Sequence, residues 1–231
     1  MKFIEREKSW ETLGTAQTPD GGDLTLVRDG NELIILANGK SLMSSARHGS
    51  EEALATEGCV RAKSLEAPSV LVGGLGMGYT LRATLDVLPP DASVVQAELM
   101  PEVIEWNRGP LGPLAQHPLD DPRVRIVCDD VAIVMRERHA AYDAILLDVD
   151  NGPVAFTQTD NDSLYGDRGL AIAKAALKPG GVLAVWSAWD DRKFEHRLKY
   201  AGFTVQTSHP RARLKKGGPH HTLFLGFLPL P

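Results

Sequence analysis

The stretch Val70-Leu71-Val72-Gly73-Gly74-Leu75-Gly76-Met77-Gly78 constrains this chain more than any other. A short apolar run, Ser69 to Val72, leads into glycines at 73, 74, 76 and 78. A helical pattern follows from Tyr79 to Val87, with Leu81 and Leu85 on one face. Strand, glycine turn, helix is the order a nucleotide site requires. Glycine tightens the turn and lets backbone approach a ligand with no β-carbon in the way. The helix N-terminus then offers free N–H groups to a polar or anionic group. Gly73, Gly74, Gly76 and Gly78 are therefore candidate cofactor-binding positions. Val94-Val95-Gln96-Ala97-Glu98 reads as a second strand ending in an acid, twenty residues after Gly78. A carboxylate there can accept from both hydroxyls of a ribose.

Beyond Ser69 short apolar runs alternate with helical patterns. Strands are expected at Ser69–Val72, Ser93–Ala97, Val124–Val127, Ala144–Leu147, Val182–Trp186 and Thr222–Leu228. Helices are expected at Tyr79–Val87, Pro101–Asn107, Val131–Glu137, Gly169–Ala176 and Arg192–Ala201. The alternation predicts an α/β fold, a Rossmann-like doubly wound and mostly parallel sheet covered on both faces. Lys178-Pro179-Gly180-Gly181 reads as a turn between helix and strand. Thr204–Thr207 pairs with Thr222–Leu228 as a hairpin, with the basic run Arg211-Ala212-Arg213-Leu214-Lys215-Lys216 in its loop.

The first 66 residues differ. Thr12–Gln17, Asp23–Arg28 and Glu32–Ala37 read as strands, separated by Pro19-Asp20-Gly21-Gly22 and Asp29-Gly30-Asn31, and Asn38-Gly39 is a strong hairpin signal. Ser50-Glu51-Glu52-Ala53-Leu54-Ala55 reads as a helix start with Ser50 as N-cap. The expected division is residues 1–66, a small antiparallel β-meander plus helix, and residues 67–231, the Rossmann-like domain that binds the nucleoside.

In a chain of 231 residues with 43% apolar residues and a net charge of −5, nothing suggests a general nucleic-acid binder. No apolar run reaches the length of a membrane span, and Met1 to Lys8 holds no signal-peptide core. Two cysteines, Cys59 and Cys128, make neither a disulfide framework nor a metal cluster, so the expected compartment is cytoplasmic. Cys128 reads as a small core residue. The seven histidines are scattered, and His220-His221 point to opposite faces of an extended segment, so no metal site is expected.

Ligands of an open parallel sheet bind beyond the carboxyl ends of its strands. Three acidic points fall there: Glu98, the pair Asp129-Asp130, and Asp148-Val149-Asp150-Asn151. Gathered acids repel one another unless a ligand with hydroxyls, an amine or a sulfonium offsets the charge. Asp129 is placed either to accept from the exocyclic amine of an adenine or to cap the next helix, and one residue can do both. Asp148 follows the wholly apolar Ala144-Ile145-Leu146-Leu147 and can orient or deprotonate a nucleophile.

Gly73–Gly78, Glu98-Leu99, Asp129, Tyr142–Asp148, Leu164-Tyr165 and Leu177-Lys178-Pro179-Gly180-Gly181 together resemble the spermidine synthase family, within the class I S-adenosylmethionine-dependent methyltransferase fold. The likeness is strongest over residues 69 to 190. It implies that the glycine loop and Glu98 hold the ribose and chain of the donor, with Asp129 and Asp130 at the adenine. It implies Asp148 as the group that binds and deprotonates an attacking amine, helped by Asp150 and Tyr165. The implied donor is S-adenosylmethionine or its decarboxylated form, with no metal; the implied partner is a small-molecule amine, and a homodimer is admitted. The chain departs from the family pattern at Gly76, where polyamine synthases carry an Asp. It departs also after Asp148, where Asp150 stands two residues on, and at Ser44–Glu52, which replaces a Gln and a Tyr of the substrate gate. Aminopropyl transfer, methyl transfer to a small molecule, and a non-catalytic nucleoside-binding module remain the three readings.

Overall fold

The computed structural model describes residues 10–149, 164–213 and 218–230. The N-terminal part is a four-stranded antiparallel meander: β1 (Glu11–Gln17), β2 (Asp23–Asp29), β3 (Glu32–Ala37) and β4 (Lys40–Ser44). β4 is a strand the sequence pattern passes over. It exposes Lys40, Ser41 and Leu42, so no alternation betrays it. Pairing with β3 across the left-handed turn at Asn38 (φ 49°) and Gly39 (φ 73°) defines it.

Helix α1 (Gly49–Gly58) follows. His48, not Ser50, occupies its N-cap position and makes no side-chain cap. Ser50 lies inside the first turn, and its hydroxyl is bonded to Glu51 and His221.

The larger sheet holds β5 (Ser69–Gly73), β6 (Ser93–Glu98), β7 (Val124–Cys128), β8 (Tyr142–Leu147), β9 (Leu177–Ser187), β10 (Thr204–Ser208) and β11 (Thr222–Phe227). Its order is β10-β11-β9-β8-β5-β6-β7. β5 to β9 pair in parallel, and β11 runs antiparallel to both β9 and β10. The connecting helices are α2 (Tyr79–Val87), α3 (Pro101–Arg108), α4 (Val131–Arg136), α5 (Asp167–Ala176) and α6 (Arg192–Tyr200).

The central strands are apolar throughout because both their faces are covered. Val70, Val72, Ala144 and Leu146 pack on one side with α1, α2 and the meander's Leu26 and Ile35. Leu71, Ile145 and Leu147 pack on the other, with residues of α4, α5 and α6. Although the sequence groups α1 with the meander, it packs on the larger sheet. A β-carbon on Gly58 would meet Leu146 at 2.2 Å and Ala184 at 2.9 Å.

Three expectations are corrected. Lys178-Pro179-Gly180-Gly181 does not form a turn after a helix; β9 begins directly at Leu177. Within β9 the segment bulges away from β8 between Leu177 and Val182, with Gly180 at φ +77°; Lys178 Nζ pairs with Asp143 at 2.6 Å, Gly180 N–H donates to Pro229 O and Leu228 N–H donates to Gly181 O. Cys128 is exposed at the end of an edge strand rather than buried in the core. Cys59 is the buried cysteine, and burial pushes its thiol up to about 12. Ser50, as noted, is not the cap of α1.

Candidate active site

From β5 the chain steps outward through β6 and β7, and from β8 it steps the other way to β9. The crevice between β5 and β8 is the switch point, where open α/β sheets hold ligands. The glycine loop fills its floor. Gly74, Gly76 and Gly78 have φ of +86°, +50° and +83°. Gly74 N–H donates to Ala97 O and Asp148 N–H donates to Gly73 O, both at 2.9 Å. The loop is thus stitched to the end of β6 on one side and to the end of β8 on the other. Gly73 has a different role: a β-carbon there would meet the Val131 methyl at 2.6 Å, so its smallness lets α4 close on the sheet.

Asn107 is a site residue that sequence reasoning missed. Its amide donates to Gly76 O at 2.8 Å and to Val103 O at 2.9 Å, tying α3 to the glycine loop. An asparagine near the end of a helical pattern carries no motif, and only the packing of α3 beside the loop reveals it. Met43 from β4 lies over Gly76, its Cε 2.7 Å and Sδ 2.8 Å from where a β-carbon would stand.

Glu98 ends β6 and is 8% exposed. Its two oxygens accept from Leu75 N–H and Met100 N–H, each at 2.8 Å. One carboxylate therefore holds both the glycine loop and the turn before α3. Asp129 follows Cys128, the register partner of Glu98 on β7. It is exposed and accepts from Asp130 N–H at 2.8 Å. The cap of α4 falls to Asp130, whose side chain accepts from Ala132 N–H at 2.8 Å. The capping weighed for Asp129 belongs to its neighbour, and Asp129 is left at the crevice rim.

Asp148 accepts from Thr80 Oγ1 at 2.5 Å. Thr80 sits in the first turn of α2, so this bond joins the mouth of β8 to the helix after the glycine loop. Burial pushes the Asp148 carboxyl above the ordinary range, with the Thr80 bond opposing. Glu51 is pushed up as well, by burial first and by the Asp148 charge second. Ser50 Oγ stands 2.6 Å from Glu51 Oε2 and 2.8 Å from His221 Nδ1. His221 packs edge-on against Trp186, with ring centroids 4.6 Å apart. On the other side of α1, His48 Nδ1 pairs with Glu52 at 2.7 Å and stacks on Tyr79 at 4.1 Å. Tyr79 is pushed up to about 12, by burial and by Glu51 and Glu52, so its phenol stays neutral.

Tyr165 is 1% exposed, and its hydroxyl donates to Val149 O at 3.3 Å. It therefore lies beside Val149, the residue that follows Asp148. Asp150 lies outside the described residues, as do Leu214, Lys215 and Lys216 of the basic run. Among the described residues no group of three His, Cys, Asp or Glu could hold a metal ion, and no helix is long and apolar enough to cross a membrane.

The glycine loop, Glu98, Asp129 and Asp148 thus surround one crevice at the switch point of a seven-stranded sheet in which β11 opposes its neighbours. This is the class I methyltransferase-type Rossmann fold. The sequence matches the spermine/spermidine synthase domain over residues 51–199, and the chain belongs to that family. It is 36% identical over 122 residues to the polyamine aminopropyltransferase of Mycobacterium tuberculosis, covering 52% of this chain and 22% of that one. It is 31% identical over 181 residues to the polyamine aminopropyltransferase of Corynebacterium efficiens, covering 75% and 32%. With polyamine aminopropyltransferase 2 of Pseudomonas aeruginosa the identity is 33% over 127 residues, covering 52% and 33%. The matches thus span a third or less of each of these relatives' length. The crystal structure of spermidine synthase from Thermotoga maritima superposes with a TM-score of 0.75 at 18% identity, covering 95% of this chain and 74% of that one. A spermidine synthase crystallised with the transition-state analogue AdoDATO gives 0.73 at 17%, covering 95% and 73%. That likeness carries the fold.

Proposed function

We propose that this chain transfers an aminopropyl group from decarboxylated S-adenosylmethionine to an amine acceptor. The observation that carries the reading is Asp148, a carboxylate at the mouth of a buried strand in backbone contact with the glycine loop, in a chain of this family. In this reading Gly74, Gly76 and Gly78 let the donor lie close to the backbone, with Gly73 setting the loop against α4. Glu98 accepts from the ribose hydroxyls and Asp129 from the adenine amine, while Asp130 fixes α4 beneath them. Asp148 attracts the acceptor ammonium and removes its proton, because a protonated amine has no lone pair to attack with. Asp150 and Tyr165 support that segment. Displacement at a carbon beside a sulfonium then needs alignment above all. We also keep the division at residues 66 and 67 as a proposal, supported by two separate sheets; on this view the N-terminal unit supplies the acceptor side.

A second reading, methyl transfer from S-adenosylmethionine, is favoured by one observation. Gly76 stands where polyamine synthases carry an Asp for the donor's amine, and Met43 covers that position. The two readings separate by product. Incubation with both donors and a panel of di- and polyamines is expected to yield methylthioadenosine by mass spectrometry. Formation of S-adenosylhomocysteine alone would select the second reading.

A further inference from the structure

Transfer of an alkyl group from a sulfonium to an ammonium releases a proton. The ammonium first gives a proton to a carboxylate; the nitrogen lone pair then forms the N–C bond. The C–S bond breaks with its electron pair going to sulfur, leaving a neutral thioether and a secondary ammonium. One proton must leave the site in each turnover, whichever alkyl group moves. Thr80 Oγ1 donates to one carboxylate oxygen of Asp148, and Gly74 lies against its main-chain carbonyl.

We propose that Glu51, Ser50 and His221 form the relay that carries this proton from Asp148 to solvent, a role that rests on the alkyl-transfer reading above. α1 runs along β8 with Gly58 against Leu146 in the middle of that strand. Glu51 is seven residues earlier, about 10 Å back along the helix axis, and the charge of Asp148 acts on it. From Glu51 Oε2 the path runs 2.6 Å to Ser50 Oγ and 2.8 Å on to His221 Nδ1. Ser50 is fully buried, whereas His221 is partly exposed. When Glu51 is ionised, His221 Nδ1–H donates to Ser50 and Ser50 O–H donates to Glu51. When Glu51 holds the proton, both bonds reverse: Glu51 donates to Ser50, and Ser50 donates to Nδ1. A hydroxyl between a carboxyl and an imidazole supports both states, which a purely structural tie does not require.

The surrounding charges suit that traffic. The charges of Asp148, just past β8, and of Glu52 act on Glu51, Glu51 acts on Tyr79 of α2, and His48 pairs with Glu52. Burial of Glu51 and the Asp148 charge favour its protonated form. Burial, then Arg47 and His220, shift His221 down.

The test measures turnover for the wild type, Ser50→Ala, His221→Asn and His221→Ala, with methylthioadenosine affinity by calorimetry to establish that each variant is folded. Asn keeps an N–H toward Ser50 but cannot accept a proton. We expect kcat to fall at least about tenfold in Ser50→Ala and His221→Asn, below the usual general acid–base effect of about 100-fold or more because water can partly substitute. Nucleoside affinity is expected to be unchanged. Added imidazole is expected to restore turnover in His221→Ala in proportion to its concentration, and to do nothing for Ser50→Ala. Wild-type activity with undiminished kcat in the folded variants overturns the relay alone, as does a reduced His221→Ala that imidazole does not revive. A wild type that alkylates no amine overturns the functional reading and the relay together.

Discussion

A β-carbon on Gly74 would stand 2.2 Å from the carbonyl oxygen of Asp148. The two residues lie on loops 74 positions apart, yet their backbones are in contact, and Asp148 N–H donates to Gly73 O beside them. The glycine loop and the mouth of β8 are therefore joined through their backbones. Gly74→Ala must displace backbone as well as adopt φ +86°. It is expected to cost more than the roughly 1–3 kcal/mol of a strained φ alone. Gly76→Ala meets only the flexible end of Met43 and should cost about 1–2 kcal/mol. Denaturant unfolding of both variants checks the order; equal losses would show that Asp148 yields freely.

Glu98 carries two backbone N–H groups and, in the proposed function, a ribose. Glu98→Gln turns one acceptor into a donor facing an N–H. Hydrogen bonds to charged groups are worth about 1.5–3 kcal/mol, so methylthioadenosine affinity should fall at least about tenfold and the melting temperature should drop with it. Calorimetry that finds unchanged affinity in a destabilised variant would reduce Glu98 to a loop tie.

Asp148→Asn keeps size and the Thr80 contact but removes the charge that an ammonium needs. Turnover is expected to fall about a hundredfold or more. Nucleoside affinity should change little, since in the proposed function Glu98 and Asp129 carry it. Near-normal kcat with the true acceptor would make Asp148 no more than the end of a strand.

Glu51 and Asp148 both hold their protons more tightly in the folded chain than in the unfolded one. Above the ordinary carboxylate range, near pH 4, the native state thus retains protons that the unfolded chain has lost. Stability should fall as pH rises from that point through the raised native values, and be fully kept below it. Glu51→Gln removes the buried charge and should flatten this decline, becoming more stable than wild type on the alkaline side. Melting curves across pH test the sign; a wild type that gains stability with pH in that window refutes it.

Asp143 accepts from Ser69 N–H at 2.8 Å and from Lys178 Nζ at 2.6 Å, joining β5, β8 and β9 at the end opposite the crevice. Asp143→Ala leaves a backbone donor without its acceptor and should cost about 1–3 kcal/mol. Activity per folded molecule should not change, and a variant that folds normally but loses turnover would place Asp143 in the chemistry instead.

Much of this molecule is written locally. The run Ser69 to Gly78 dictates strand, left-handed turns and helix because only glycine adopts those φ values cheaply, and Tyr79–Val87 is helical to the residue. Ala144 to Leu147 announces a strand buried on both faces, so its position at the sheet centre and the rim placement of Asp148 follow from apolarity alone. The Asn38-Gly39 turn likewise fixes the meander. What the sequence could not assign depends on neighbours far along the chain. β4 has no alternating pattern and exists through pairing with β3. Residues 177–181 look like a turn and become a bulge within β9, held by Asp143, Leu228 and Pro229. The cap of α4 is Asp130 rather than Asp129, since it is Asp130 that accepts from Ala132 N–H. Asn107 supports the loop only because α3 lies beside it, and Glu51, Ser50 and His221 meet across 171 positions because α1 and β11 both abut β9. Local propensity selects the elements and their glycine turns; the hydrogen-bond partners of a polar side chain are chosen by packing, which no stretch of the chain contains by itself.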